Sequence, residues 1–140
     1  MDVQTTFLHE NIHEEIYMEQ PPGYISKDYP NYVCKVHKSL YGLKQSPRQW
    51  YERFNTCMSN LGYIRFQSNP NVYSRNGRAN VILLLAIYVD DILSLSNSEN
   101  ILSKAMSELH ASFSMQDMGA LHYCLGILVT QDPFQGLILE

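Results

Sequence analysis

An uninterrupted apolar segment that ends at two adjacent acids is the feature of this chain that most restricts its fold. Residues 81–88, VILLLAIY, are all apolar; Asp90 and Asp91 come directly after Val89, and the alternating sequence ILSLS follows. An apolar run followed by alternation predicts a buried strand and then a half-buried strand. Because no glycine separates the acids from these strands, they occupy a tight turn or its approach.

The position of the two acids leaves two interpretations open. Adjacent residues of a strand point to opposite faces, so one acid can face a cleft while the other faces its rim. A carboxylate among Ile87, Val89 and Ile92 is costly to bury unless a cation pairs with it, and Mg²⁺, which requires oxygen ligands, is the natural cation. The pair is therefore either a solvated turn between edge strands or part of a magnesium site.

A two-metal site needs a further acid from another strand, because it holds two ions about 3.5–4 Å apart. The candidates are Asp2, Asp28, Asp117 and Asp132. Their spacing along the chain does not choose among them.

Two helices are predicted from capping residues and apolar spacing. Ser46 can cap the first helix, Pro47 suits its first turn and Gly62 stops it; Ser98 can cap the second helix. Apolar residues recur at helical spacing in both segments, so each helix has one apolar face. In the first helix we expect three residues of this face to be buried against a sheet: Trp50, Phe54 and Leu61.

Strand and turn signals fill most of the remaining chain. Asn76-Gly77 predicts a hairpin turn between strands at residues 72–75 and 80–88, and two further strands are expected around a turn at residues 132–136. Earlier strands are predicted at residues 16–19 and 33–42. This order favours an α+β fold, a mainly antiparallel sheet with helices on one face. A length of 140 residues suits a single domain, residues 1–140.

The composition and the terminal sequence indicate in which cellular compartment the protein resides and which class of partner it binds. The three cysteines, Cys34, Cys57 and Cys124, are scattered, which is typical of reduced intracellular thiols. No apolar run approaches the roughly 20 residues that cross a bilayer, and the N-terminus has no secretory signal. The formal net charge of −4 is unusual for a nucleic-acid-binding protein, which normally has a basic surplus.

Five segments together resemble one family. The segments that carry the similarity are MDVQTTFLHE, EEIYMEQPPGY, KSLYGLKQSPRQWYERF, YVDDILSLS and FSMQDMGALHYCLGILV. The similarity is to the palm of copia-type LTR-retrotransposon reverse transcriptases, and it extends in order across essentially all of the chain. The resemblance implies a polymerase palm that performs RNA-directed DNA synthesis with two Mg²⁺ ions. It implies RNA or DNA template–primer and deoxynucleoside triphosphates as ligands, and integrase and RNase H as neighbouring domains of a Pol polyprotein.

The resemblance also implies roles for individual residues. Asp2 and Asp90 correspond to the two metal-bridging aspartates, Asp91 supports them, and the carbonyl of Val3 completes one metal's ligands. Nucleotide binding is implied for Thr5, Thr6, Phe7, Tyr41 and Gly42, with Phe7 as the residue that excludes a ribose 2′-hydroxyl. Template or primer contact is implied for Lys44, Ser46, Pro47, Tyr88, Leu125 and Gly126. For three of these a plainer interpretation stays open: Phe7 as a core residue, Lys44 as a solvated lysine and Gly126 as a hairpin glycine.

The fingers and thumb of such a polymerase do not correspond to any part of this chain, so we expect a truncated palm fragment that is inactive on its own. The alternative function is a non-catalytic or domesticated remnant that acts as a binding module. A metal-dependent hydrolase or cyclase is a weaker alternative, because it gives SLYGLKQSPRQW no role. We expect an intracellular location, in a cytoplasmic particle or the nucleus, without membrane attachment.

Overall fold

The computed structural model describes residues 1–9, 11–75, 81–132 and 136–139. The chain forms two compact units: Met1–Gln4 with Leu61–Glu140, here called the sheet unit, and Thr5–Asn60, here called the hairpin–helix unit. The strands are β1 (Asp2–Val3), β2 (Asn11–Met18), β3 (Cys34–Lys38), β4 (Ile64–Arg65), β5 (Val72–Ser74), β6 (Leu83–Tyr88), β7 (Asp91–Ser96), β8 (Met115–Gln116), β9 (Tyr123–Cys124), β10 (Ile127–Asp132) and β11 (Gly136–Leu139). The helices are a 3₁₀ helix (Thr6–His9), α1 (Ser46–Asn60) and α2 (Glu99–Ser112).

The sheet unit is built on an antiparallel sheet whose described strands have the order β4-β5-β6-β7-β1-β8. The apolar run predicted to be a buried strand is β6, and Leu83, Leu85 and Ile87 on one of its faces are buried. Ile92 of β7, which pairs with Ile87 of β6, is buried as well. Residues that pair directly across an antiparallel ladder share a face, so these side chains form the core side of the sheet.

Helix α2 contacts β7 and buries Ala105 and Leu109. Ser98 is its N-cap residue, as predicted, although its side chain makes no capping hydrogen bond. An ion pair also joins the helix to the sheet: the Nη1 of Arg75, which follows β5, lies 2.6 Å from the Oε2 of Glu108. The helix and the sheet are therefore joined by both apolar burial and a charged hydrogen bond.

The C-terminal part of the sheet unit is a second antiparallel sheet in the order β11-β10-β9. A two-residue turn, Leu125-Gly126, joins β9 to β10, and both residues have positive φ (51° and 84°). This is the pattern of a type I′ hairpin turn, which accommodates glycine better than leucine. Asp132 pairs with Gly136 in the β10–β11 ladder; residues 133–135 of the predicted turn, and the predicted Asn76-Gly77 turn, lie outside the described residues.

The hairpin–helix unit consists of the β2–β3 hairpin, the 3₁₀ helix and α1. In α1 the apolar face is buried at Trp50, Phe54 and Met58, while Leu61 follows the end of the helix and is half-buried. Packing of this face against the sheet stays a prediction.

The predicted capping role of Ser46 is wrong. Ser46 is the first residue of α1, and its hydroxyl donates to the Leu40 carbonyl instead of accepting from the backbone of the first turn. Pro47 lies in the first turn, as predicted. The helix start is thus fixed by the preceding loop, which the local sequence does not encode.

The fold is α+β and mainly antiparallel, as predicted. Several strand boundaries differ from prediction. The largest shifts are at β2, which begins at Asn11, before residues 16–19; at β3, which ends at Lys38, before residue 42; and at β6, which begins at Leu83, after residue 80. The early end of β3 has a local cause, because the chain turns at Ser39 into a loop held by Ser46. A single domain over residues 1–140 and helices on one face stay predictions. None of the described helices has the length and apolar character that crossing a membrane requires.

Candidate metal and nucleotide site

The two adjacent acids lie at the tip of the β6–β7 hairpin, as the apolar run predicted. Tyr88 pairs with Asp91, so Val89 and Asp90 are the two turn residues. Of these two, only Val89 has positive φ, 56°, which is the pattern of a type II′ turn whose first central position normally favours glycine. A β-branched residue there stores strain of about 1–3 kcal/mol. The sequence therefore places Asp90 in a strained turn and Asp91 at the start of a strand.

Strand β1 brings a third acid to this hairpin. It lies between β7 and β8, and Asp2 is opposite Asp91 on one side and opposite Gln116 on the other. Directly opposed residues point to the same face, so the side chains of Asp2, Asp91 and Tyr88 share one face of the sheet.

Backbone hydrogen bonds on both sides of this pair fix its register. The Val3 amide donates to the Asp90 carbonyl at 2.8 Å, and the Ile92 amide donates to the Met1 carbonyl at 2.8 Å. The Asp2–Asp91 pair between them is consequently a non-hydrogen-bonded pair, the closer type, with Cα atoms about 4.5 Å apart. Val3 itself is buried, which anchors the strand.

The neighbouring charges act on the carboxyl of Asp91. Burial raises the pKa of the Asp91 carboxyl, and the negative charges of Asp90 and then Asp2 raise it further. The α-ammonium group of Met1 acts in the opposite direction on this pKa, and it donates a hydrogen bond of 3.0 Å to the Ile92 carbonyl. Ionised Asp91 is therefore disfavoured in the fold and would be favoured by a nearby cation.

The carboxylates suit a hard cation chemically, but they do not form a closed set of ligands. Across residues 1–9, 11–75, 81–132 and 136–139, no three His, Cys, Asp or Glu side chains are grouped so that they could hold a metal ion. Carboxylate oxygens such as those of Asp2, Asp90 and Asp91 are the ligands that Mg²⁺ prefers, and a cation there would relieve the repulsion that Asp90 and Asp2 exert on Asp91. The two-metal site, including the Val3 carbonyl as a ligand, stays a prediction.

The other candidate acids contribute less to this cluster. Asp117 follows Gln116, is exposed, and accepts a hydrogen bond of 2.9 Å from the Gly119 amide. Asp28 belongs to the hairpin–helix unit, and the side chain of Asp132 lies outside the described residues. Asp2 is thus the candidate that the sheet register brings opposite the hairpin acids.

A cavity of about 200 Å³ lies beside the hairpin within the sheet unit. Its walls include Asp91, Tyr88 and Leu125, three residues that were predicted to take part in catalysis or primer contact. Tyr88 is 57% exposed and Leu125 55% exposed. The structure thus brings the β9–β10 turn close to the β6–β7 hairpin, whereas primer binding itself stays a prediction.

The predicted nucleotide-binding residues belong to the hairpin–helix unit. Thr6 and Phe7 are buried, Thr5 is exposed with φ of 52°, and the Phe7 ring meets the Tyr41 ring edge-on at 4.7 Å between centroids. Gly42 has φ of 91°, which only glycine adopts easily. The burial of Phe7 agrees with its interpretation as a core residue, and the Tyr41 contact keeps it beside the predicted nucleotide-binding loop.

The residues predicted to contact template at the start of α1 differ in exposure. Lys44 and Pro47 are exposed, whereas Ser46 is 1% exposed and its hydroxyl is engaged inside the unit. Its partner Ser39, fully buried, donates to it at 2.6 Å. Sequence reasoning missed Ser39, because a serine between a strand and a loop gives no signal of this pairing.

Comparisons with known proteins place the chain in a family. The family model for reverse transcriptase (RNA-dependent DNA polymerase) matches residues 1–138. The chain is 41% identical over 132 residues to a retrovirus-related Pol polyprotein from transposon TNT 1-94 of Nicotiana tabacum, covering 94% of the chain and 10% of that protein. It is 40% identical over 133 residues to the Pol polyprotein from transposon RE1 of Arabidopsis thaliana, covering 95% of the chain and 9% of that protein.

A third relative is a putative transposon Ty5-1 protein of Saccharomyces cerevisiae, 36% identical over 131 residues, with 94% of the chain and 42% of that protein covered. The chain spans about a tenth of the length of the two plant relatives. No solved structure matches it. The resemblance to retrotransposon Pol polyproteins is confirmed, and the chain belongs to the reverse transcriptase (RNA-dependent DNA polymerase) family.

Proposed function

We propose that this chain is the palm segment of a retrotransposon RNA-directed DNA polymerase, in which Asp2 and Asp90 hold two Mg²⁺ ions and Asp91 supports them. The observation that supports this most is the position of β1, which sets Asp2 opposite Asp91 and beside the turn that carries Asp90. An acid from a separate strand is what a two-metal site requires in addition to the hairpin pair.

The proposed reaction depends on stabilising the negative charge of the transition state. Phosphoryl transfer spreads negative charge over the non-bridging oxygens, and Mg²⁺ bound at these carboxylates would stabilise that charge and activate the primer 3′-hydroxyl. The protein's own contribution is to hold Asp2 and Asp91 in register through backbone hydrogen bonds on both sides. Because that register is fixed in the sheet, the ligands need little reorganisation at the moment of reaction.

Family membership supports contacts with the incoming nucleotide from Thr5, Thr6, Phe7 and the Tyr41-Gly42 loop. The backbone amides of the two threonines would face the triphosphate, and Phe7 would exclude a ribose 2′-hydroxyl. Template or primer contact is proposed for Lys44, Pro47, Tyr88 and the Leu125-Gly126 turn.

We propose that the chain does not polymerise alone, because its charge opposes binding to a polyanion. Residues 1–4 and 61–140 contain eight acidic and four basic residues, and residues 5–60 contain six of each. Template–primer would therefore be bound through domains of the longer Pol polyprotein, which contribute basic surface.

The test is primer extension by the Nicotiana tabacum Pol polyprotein in which this chain replaces the corresponding segment, with RNA template, DNA primer and Mg²⁺. Asp90→Asn should lower the rate about a hundredfold or more, since removing one preorganised electrostatic contact typically costs that much. Asp91→Asn should be milder. The matched control is Asp117→Asn, which alters an exposed acid of the same unit and should leave the rate unchanged.

Two results would overturn the proposal. One is an Asp90→Asn protein as active as its parent, which would mean that other residues hold the metal ions. The other is a parent chimaera that folds and binds template–primer but extends no primer. If Phe7 excludes ribose, Phe7→Val should also raise the incorporation of ribonucleotides in the same assay.

A further inference from the structure

The loop that carries Tyr41 is a tight turn with a weak closing bond. Residues 40–43 form a β-turn in which the Leu43 amide donates to the Leu40 carbonyl at 3.4 Å, a long distance for such a bond. Gly42, at the third position, has φ of 91°, as a type II turn requires. Tyr41 occupies the second position, so the direction of its side chain depends on how firmly this turn is held.

A buried chain of hydroxyl groups provides the stronger anchor. The Ser46 hydroxyl donates to the Leu40 carbonyl at 2.6 Å, which is the same acceptor as in the turn. The Ser39 hydroxyl donates to the Ser46 oxygen at 2.6 Å. Ser39 is 0% and Ser46 1% exposed, so water cannot replace either bond and both are strengthened by the low local dielectric.

The direction of these two hydrogen bonds follows from the number of hydroxyl hydrogens. Ser46 has one hydroxyl hydrogen, which is given to Leu40, so its oxygen can only accept from Ser39. Ser46 is therefore the anchor of the turn, and Ser39 orients Ser46. Loss of Ser46 would leave the Ser39 hydroxyl buried without its acceptor, whereas loss of Ser39 would leave the Ser46–Leu40 bond possible.

The turn held in this way presents Tyr41 to Phe7. Tyr41 is 56% exposed, yet its ring lies edge-on to the buried Phe7 ring, with an interplanar angle of 67° and centroids 4.7 Å apart. This is a favourable aromatic geometry. A sugar-discriminating surface that includes Phe7 would have the Tyr41 ring as its second wall.

We propose that Ser46 and Ser39 are positioning residues that hold Tyr41 against Phe7, and that Tyr41 and Phe7 together exclude the ribose 2′-hydroxyl. The nucleotide part of this inference rests on the proposed polymerase function. The hydroxyl chain and the ring contact do not, so the two parts can be tested separately.

The first experiment uses the 140-residue chain and measures nuclear Overhauser effects between the Phe7 and Tyr41 rings. We expect a cross-peak in the parent, its loss in Ser46→Ala and its weakening in Ser39→Ala. The matched control is Ser59→Ala, which removes an exposed α1 hydroxyl that also donates to a backbone carbonyl, that of Asn55 at 2.8 Å; the cross-peak should persist there.

A double-mutant cycle separates this arrangement from ordinary loss of packing. The cycle is read out by the free energy of unfolding in urea: Ser39→Ala should lower it in the parent but leave it unchanged or raise it in the Ser46→Ala background, because the substitution then removes an unpaired buried hydroxyl. Additive effects of the two substitutions, or a ring contact that survives Ser46→Ala, would overturn the hydroxyl chain. If Ser46→Ala fails to fold, Ser39→Ala alone decides: an unchanged cross-peak would contradict the proposal.

The second experiment uses the chimaeric polymerase and compares kcat/KM for deoxynucleotides and ribonucleotides. Tyr41→Ala and Ser46→Ala should lower the discrimination about tenfold or more, mainly through a lower ribonucleotide KM, while Ser59→Ala leaves it unchanged. Unaltered discrimination in an active Tyr41→Ala enzyme would refute the second wall. An inactive parent would instead refute the proposed function and leave the ring measurement to decide the hydroxyl chain.

Discussion

Replacing Asp91 by Asn should stabilise the metal-free protein at neutral pH. Asp91 lies opposite Asp2 and next to Asp90, and burial together with these two charges raises the pKa of its carboxyl. Like charges directly opposite in an antiparallel pair are destabilising, and we expect Asp91→Asn to gain roughly 0.2–1 kcal/mol. For a chain of this length that corresponds to a rise in Tm of about 1–4 °C.

The stabilisation by Asp91→Asn should depend on pH. The folded-state pKa of Asp91 is raised above the usual aspartate value of 3.8, so its ionised form costs stability at neutral pH. As the pH falls through the folded pKa towards 3.8, the folded state binds the proton first and this cost disappears. The advantage of Asp91→Asn should therefore be full at neutral pH and shrink over that acidic window.

The assay is thermal and urea unfolding of the parent, Asp91→Asn and Asp2→Asn between pH 3 and pH 7, with and without Mg²⁺. Added Mg²⁺ should stabilise the parent more than either variant, because an ion that binds the folded state stabilises it by mass action. Asp117→Asn is the control, and this substitution should not raise the stability of the metal-free protein. A destabilised Asp91→Asn protein at pH 7 would contradict this prediction, since it would mean that favourable contacts hold the carboxylate.

Three further predictions concern the scaffold. Val89→Gly should leave stability unchanged or raise it by up to about 1 kcal/mol, because relief of the positive φ offsets the entropy of glycine; Val89→Ala, which keeps the strain, should be less stable in the same urea titration. Arg75→Ala should lower the free energy of unfolding by about 1–3 kcal/mol, because it breaks the ion pair with Glu108. The same substitution should further raise the pKa of Tyr63, whose ring lies 4.6 Å from the guanidinium, and a spectrophotometric titration measures this change. Met58→Ala, at a position with no exposed surface, should cost about 2–5 kcal/mol in urea unfolding, and a loss below 1 kcal/mol would contradict the buried face of α1.

The hairpin could be predicted from local sequence because its signal is local. An apolar run, two acids and an alternating run define two strands and the turn between them, and the structure has that turn at Val89 and Asp90. The position of Asp2 could not be predicted in this way. Strand β1 is two residues long, so it has no periodicity, and its partners Asp91 and Gln116 are far away in sequence.

The error at Ser46 has a similar cause. Its residue type and its position before Pro47 are typical of an N-cap, but its hydroxyl finds a better acceptor in Leu40 and a donor in Ser39, both delivered by the loop before the helix. Competition between a local cap and a longer-range partner is decided by the fold. The roles of Phe7 and Tyr41 came from family resemblance, and only the structure placed their rings in contact.

The proposal that Asp2 and the hairpin acids share one metal site can be tested by titrating the chain with Mn²⁺, a paramagnetic substitute for Mg²⁺, and recording the broadening of backbone amide signals. We predict that the signals of Val3, Asp90 and Asp91 broaden first, and that either Asp2→Asn or Asp90→Asn weakens the broadening of all three. Broadening centred on Asp117, or broadening at the hairpin that Asp2→Asn leaves unchanged, would contradict the claim.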